Sequence, residues 1–144
     1  MLLPVAACVA SAGFAVTGAC LRSTAPPPDL HAGTYVLLSI NGRNPPVTVT
    51  DSAARQLRVI ADTIQLSTGA HTYAEHATVA ITPPGGTEQP PGPLTVGTRS
   101  YTVPSTGMFD LPVTITGLAH GIVTSDNSID LRLPDASHWV YTLR

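Results

Sequence analysis

Side chains able to do chemistry are few in this chain, and their spacing limits what they can do together. Five histidines are present, His31, His71, His76, His120 and His138, and only His71 and His76 are close in sequence. Both sit in strand-like sequence, where side chains alternate between faces, so an odd separation sends them to opposite sides. A transition-metal site needs three or four converging ligands, and this pair does not begin one; surface or strand-end histidine is the plainer reading. Asp126, Asn127, Ser128 and Asp130 gather oxygens, but a calcium loop needs more ligands and a glycine at its sharp turn. A hairpin turn accounts for the same residues. Serines are plentiful without any Gly-x-Ser-x-Gly, so no nucleophile elbow is visible. Glu75 stands apart, because it shares strand parity with the apolar Tyr73 and Ala77. It is the acid whose burial would mark a site, against the plainer reading of a strand-end or rim acid. A site assembled from distant strands would draw on His31, Glu75, His120 and His138. From motifs alone no catalytic residue, no metal site and no cofactor is expected.

The elements that must position these residues are short and β-branched, punctuated by Gly, Pro, Asn and Asp. Residues 33–40 read as a first strand, followed by Asn41-Gly42, which tolerates the positive φ of a hairpin turn. Val47 to Thr50 reads as a short strand behind Pro45-Pro46. Asp51 to Leu57 is the nearest approach to a helical turn, with Asp51 or Ser52 as its N-cap. Leu57 to Leu66 reads as a longer strand in which Asp62 marks a bulge, and His71 to Ile81 as the next. Pro83 to Pro93 holds nothing able to pack a core and is expected to be mobile and dispensable for folding. Further strands follow at 94–103, at 108–116 with Pro112 at an edge or bulge, at 121–124, 129–133 and 138–143. The expectation is an all-β fold: an antiparallel up-and-down meander of about eight strands, closed or nearly closed into a barrel, since closure removes exposed edges. Its expected core is Leu37 or Leu38, Ile60, Ile64, Leu66, Val79, Val113, Ile115, Leu131 and Trp139.

Ahead of this domain, Met1 to Ala19 is apolar and carries no charge. Pro4, Gly13 and many alanines make it weak as a spanning helix, and its small-residue end suits a signal peptidase. Cys8 and Cys20 are the only cysteines, and removal of residues 1–19 would leave Cys20 first and alone, with no intramolecular disulfide available. The approach Gly18-Ala19-Cys20 resembles the lipobox of bacterial lipoproteins, with Thr17 where an aliphatic residue is usual. That resemblance implies diacylation of Cys20, and two acyl chains hold a protein stably at a bilayer. An ordinary secreted protein with a chance cysteine, or a membrane-spanning anchor, is the alternative. The organisation expected is a signal peptide at 1–19, a lipid-anchor Cys and Pro-rich tether at 20–32, and one domain at 33–144. The tether could hold the domain up to roughly 40 Å from the bilayer.

Composition excludes other classes. Charged residues are 11%, the net charge is −2, and all seven basic residues are arginine. Nucleic-acid binding needs a clustered basic face, and a polybasic membrane patch is equally absent. Aromatics at 5% offer no base-stacking platform. Gly33-Thr34-Tyr35, Ser39-Ile40-Asn41-Gly42, Ala61-Asp62-Thr63-Ile64, Gly121-Ile122-Val123 and the terminal Trp139-Val140-Tyr141 with Arg144 together resemble small bacterial lipocalin-like lipoproteins. Tyr35 stands where lipocalins carry the Trp of Gly-x-Trp. The resemblance implies a lipocalin-like barrel and an envelope anchor, but no substrate. The functional expectation is therefore a non-enzymatic protein anchored by lipid at the periplasmic or extracellular face of the cell envelope. Two readings of its role stay open: a small apolar ligand held inside the barrel, or a structural or protein-interaction module with a filled barrel. An eight-stranded barrel supports either, and the interior decides between them.

Overall fold

The computed structural model describes residues 28–51, 53–113, 117–125 and 127–144. Cys20, the leader and most of the tether lie outside them, as do Asp126, Ile115 and the side chain of Val113. The described residues form ten strands and no helix: β1 (Gly33–Ile40), β2 (Val47–Thr50), β3 (Gln56–Ser67), β4 (Thr72–Thr82), β5 (Gly92–Ser100), β6 (Thr102–Ser105), β7 (Met108–Val113), β8 (Gly117–Ser125), β9 (Ser128–Arg132) and β10 (His138–Leu143). All pairings are antiparallel, in the order β5-β4-β3-β1-β10-β9-β8-β7-β6, with β2 added to β3. The two ends of this order, β5 and β6, are joined through Tyr101 alone. One stretch of chain thus pairs with β4 at its start and with β7 at its end, which requires the sheet to curl strongly on itself. The all-β antiparallel meander expected from sequence is the observed fold, and it is barrel-like.

Bulges decide which side chains face inward. Val59 pairs with Val79 and Ala61 with Thr78, so β3 carries one extra residue at Ile60 and its inward parity changes there. Leu57 and Val59 point in before the bulge, and Asp62, Ile64 and Leu66 after it. This corrects the expectation for Ile60, which is only half-buried, and for Asp62, which lies beyond the bulge. The same device acts in β1, where Leu37 pairs with Tyr141 and Ser39 with Val140. Leu37 is buried at 7% exposure, while Leu38, in the bulge, is 51% exposed.

Turn chemistry is local and specific. Asn41 and Gly42 take positive φ between the bridged Ile40 and Arg43, as expected. The following strand, however, pairs with β3 and not with β1. Asn41 instead bonds β10: its amide donates to the His138 carbonyl, and its Oδ1 accepts from the His138 amide, both at 2.8 Å. Among the described residues no helix follows β2. Asp51 Oδ1 accepts from the amides of Ala53 and Arg55 at 2.9 Å each, which closes a tight β2–β3 turn. The segment 83–91 touches the sheet at two points. Glu88 takes both Arg58 Nε and Nη2, at 3.0 and 2.6 Å, and the Gln89 amide donates to the Ile81 carbonyl.

The inner face is one continuous cluster. All four tyrosines, Phe109 and Trp139 are buried in it, together with Ile40, Val59, Ile64, Leu111, Ile129 and Leu131. Gly121 faces Phe109 across the β7–β8 ladder, and the Phe109 ring lies over it where a Cβ would otherwise stand.

Candidate functional site

Two places merit a functional reading, a polar centre inside the barrel and a groove at its rim. The polar centre is built by β3 and β4. The bulge at Ile60 turns Asp62 inward, and Glu75 reaches the same face of β4. Asp62 pairs with Ala77, and Glu75 with Ile64. The two acids are therefore diagonal neighbours on adjacent strands, a spacing within side-chain reach. Asp62 is 0% and Glu75 2% exposed. From β10, Tyr141 donates its hydroxyl to Asp62 Oδ2 at 2.7 Å. Asp62 Oδ1 is buried without a well-aligned hydrogen-bond partner. Burial first, and then the neighbouring Glu75 charge, hold the Asp62 carboxyl well above the ordinary carboxylate range. The Tyr141 hydroxyl and the Thr63 amide work in the opposite direction. The Tyr141 hydroxyl is likewise pushed up, by burial and then by Asp62. Among the described residues no arginine or histidine is buried, so the centre has acids and phenols but no enclosed cation.

The other tyrosines close the interior. Tyr73, two residues from Glu75, donates its hydroxyl to the Pro112 carbonyl of β7. Burial raises its pKa, Glu75 adds to this, and Arg99 opposes it. Tyr35 donates to the His31 carbonyl at 3.0 Å, which fastens the end of the tether to β1. Every buried phenol thus finds an acceptor, the Tyr101 hydroxyl through a long 3.4 Å contact to the Ser67 carbonyl, as buried tyrosines require.

The rim groove has a volume of about 580 Å³ and opens where the tether enters. Leu30, His71, Tyr101, Val103 and Met108 line it with Thr106. The His71 and Tyr101 rings sit 5.5 Å apart, and Val103 and Met108 are 43% and 46% exposed.

The histidines do not converge. His31 acts through its backbone carbonyl. His71 lies in the β3–β4 turn with positive φ, not in the strand, and His76 is exposed on the outer face. His120 pairs with Asp110 at 2.7 Å and His138 with Asp130 at 3.2 Å, both on the outside of the sheet with Arg132 in register between them. Neither meets Glu75. Among the described residues no group of three His, Cys, Asp or Glu has the geometry to hold a metal ion. Ser125 and Ser128 pair across the β8–β9 turn, so the oxygen-rich segment is a hairpin. Glu75 is the suspected acid that the structure buries. Asp62 and Tyr141 were missed, although Asp62 shares parity with Ile64 and Leu66, the one sequence signal that points to it. Arg144 is exposed, and Trp139 bonds Ser137 Oγ through Nε1 at 3.1 Å. Comparison with protein-family models, curated proteins and solved structures returns no match.

Proposed function

We propose that this chain is an exported envelope protein, anchored through a lipid on Cys20, whose barrel is a filled scaffold that engages a protein partner at its surface. The observation that carries this reading is the occupancy of the inner face. Four tyrosines, a phenylalanine, a tryptophan and a set of aliphatic residues pack there as one cluster, and open volume lies instead at the rim, beside the tether. Interiors packed to crystal-like density leave no room for a small ligand. The other reading, a small apolar ligand inside the barrel, has the lipocalin-like resemblance in its favour, whereas among the described residues the aromatic and aliphatic side chains of the inner face form one cluster. The small-residue approach to Cys20 and the Pro-rich spacer support the anchor. Export and anchoring give the scaffold its place, and the exposed Val103 and Met108 at the groove give it an apolar contact.

The test has two arms. Metabolic labelling with an alkyne fatty acid in a bacterial host is expected to tag the wild-type chain and not Cys20→Ser, and the variant is expected to leave the membrane fraction. Titration of the purified domain with a fluorescent fatty-acid analogue is expected to give no saturable binding. Equal labelling of both chains, or stoichiometric binding of the analogue, would overturn the reading.

A further inference from the structure

Among the described residues four large apolar side chains are exposed: Leu38, Val103, Met108 and Leu118. Leu38 stands alone in the β1 bulge, and Leu118 alone at the start of β8. Val103 and Met108 belong to one hairpin, β6–β7, and with Leu30 they line the rim groove. Apolar side chains scattered singly need no explanation, whereas grouped ones mark contacts. Leu118 pairs with Pro112 and Met108 with Ile122, so the hairpin and Leu118 lie toward opposite ends of the β7–β8 ladder.

The chain reaches this groove directly from the tether. Asp29 and Leu30 are among its lining residues, Leu30 packs against the core, and Tyr35 holds the His31 carbonyl. The end of the tether is therefore fixed at the groove. Eight positions separate Cys20 from Pro28, and even fully extended they span at most about 29 Å. The long strands β3 and β4, 12 and 11 residues, carry the opposite rim roughly 30 Å farther along the barrel. A lipid on Cys20 thus keeps the groove-bearing rim near the bilayer. Within such a reach a second contact is effectively intramolecular, and a weak one suffices. The described charges at this end are Asp29, Arg99 beside Tyr73, and Arg144 beside Thr34. They are too few and too mixed for a polybasic lipid site.

We propose that the β6–β7 hairpin is a second membrane contact, in which Val103 and Met108 enter the boundary between headgroups and acyl chains and hold the groove-bearing rim against the bilayer. The inference rests on the anchor proposed for Cys20. It assigns the apolar contact at the groove to lipid and leaves the outer faces of the sheet and the far rim to the protein partner. Apolar side chains at such a boundary sink only about 5–10 Å, well within the span of the tether. Thr102, Ser105 and Thr106 are exposed beside them, and their hydroxyls suit the hydrated headgroup layer.

Tryptophan quenching by brominated lipid tests this. Met108→Trp places a reporter in the hairpin, and Leu118→Trp places the same reporter toward the far end. Each full chain, purified from a bacterial host, is reconstituted into vesicles of phosphatidylethanolamine and phosphatidylglycerol, with and without lipids brominated near the head of the acyl chain. The signal of the buried Trp139 is common to all chains and is subtracted using wild type. Quenching of about half of the added fluorescence is expected for Met108→Trp and of less than about a tenth for Leu118→Trp. Adding Val103→Asp to the Met108→Trp chain is expected to lower its quenching to the Leu118→Trp level with an unchanged urea midpoint. Replacing phosphatidylglycerol by phosphatidylcholine is expected to change nothing. Equal quenching at both positions, quenching that survives Val103→Asp, or quenching that requires the anionic lipid would each overturn the inference. So would none at Met108→Trp in these protein-free vesicles, which would return the hairpin to a protein partner. The mass of each purified chain reads the anchor separately. Where Cys20 is unmodified, coupling Cys20 of the Cys8→Ser chain to a maleimide-bearing lipid supplies the anchor, and the same comparison decides the hairpin contact.

Discussion

Gly121→Ala is the substitution whose cost the structure fixes most tightly. A Cβ at Gly121 would stand 2.2, 2.3 and 2.6 Å from three ring carbons of Phe109, where carbon contacts are comfortable at about 3.5–4.0 Å. The ring must therefore move by more than about 1 Å, and at 1% exposure it has no free space to enter. Overpacking of this kind costs about 1–3 kcal/mol, and the rigid ring places this case near the top of that range. For a domain of this size, about 3 kcal/mol lowers Tm by roughly 12 °C. Urea denaturation and calorimetry measure it. Phe109→Leu alone is expected to cost about 1–2 kcal/mol, because it uncovers Gly121. In the double variant the clash is gone, so the two costs should fall short of additivity by at least about 1 kcal/mol. A Gly121→Ala chain within about 0.5 kcal/mol of wild type, or strict additivity, would refute the packing of Phe109 over the glycine.

Three further outcomes follow from the same geometry. Tyr141→Phe removes the hydroxyl that donates to Asp62 Oδ2 and leaves a buried carboxyl with less satisfaction, so it should cost about 1–3 kcal/mol with an unchanged urea m-value. Val59→Ala should destabilise by about 2 kcal/mol and Ile60→Ala by distinctly less, since the β3 bulge buries the first and not the second; the reverse order in denaturant midpoints would place the bulge elsewhere. Glu88→Ala frees the 83–91 segment from Arg58. It should leave global stability almost unchanged, as surface pairs do, while limited proteolysis within 84–91 speeds up.

Much of the fold was legible because β-branched runs between Gly, Pro and Asn-Gly signals carry their own boundaries. Residues 33–40 and 138–143 are strands at the expected limits. What remained hidden was parity. A bulge adds one residue without any composition of its own, and it reversed the reading at Ile60 and selected Leu37 over Leu38. Asp62 was hidden for the same reason, because an acid in an apolar strand reads as an interruption until the bulge before it is known. Glu75 was accessible, since its neighbours at Tyr73 and Ala77 fix its face and no bulge intervenes in β4. The Tyr141–Asp62 bond joins residues far apart in sequence, a closure that periodicity within one strand does not encode. The contact of segment 83–93 with Arg58 through Glu88 was not legible, because its glycines and prolines say nothing about where that single side chain reaches.

Native mass spectrometry of the full chain, expressed in a bacterial host and extracted in mild detergent, tests the proposed function most directly. It reads the anchor and the interior together. The result expected is one species that begins at Cys20, carries a diacylglyceryl group and holds no additional small molecule. A species that retains residues 1–19 with an unmodified Cys20, or one that carries a stoichiometric apolar ligand, would contradict the account.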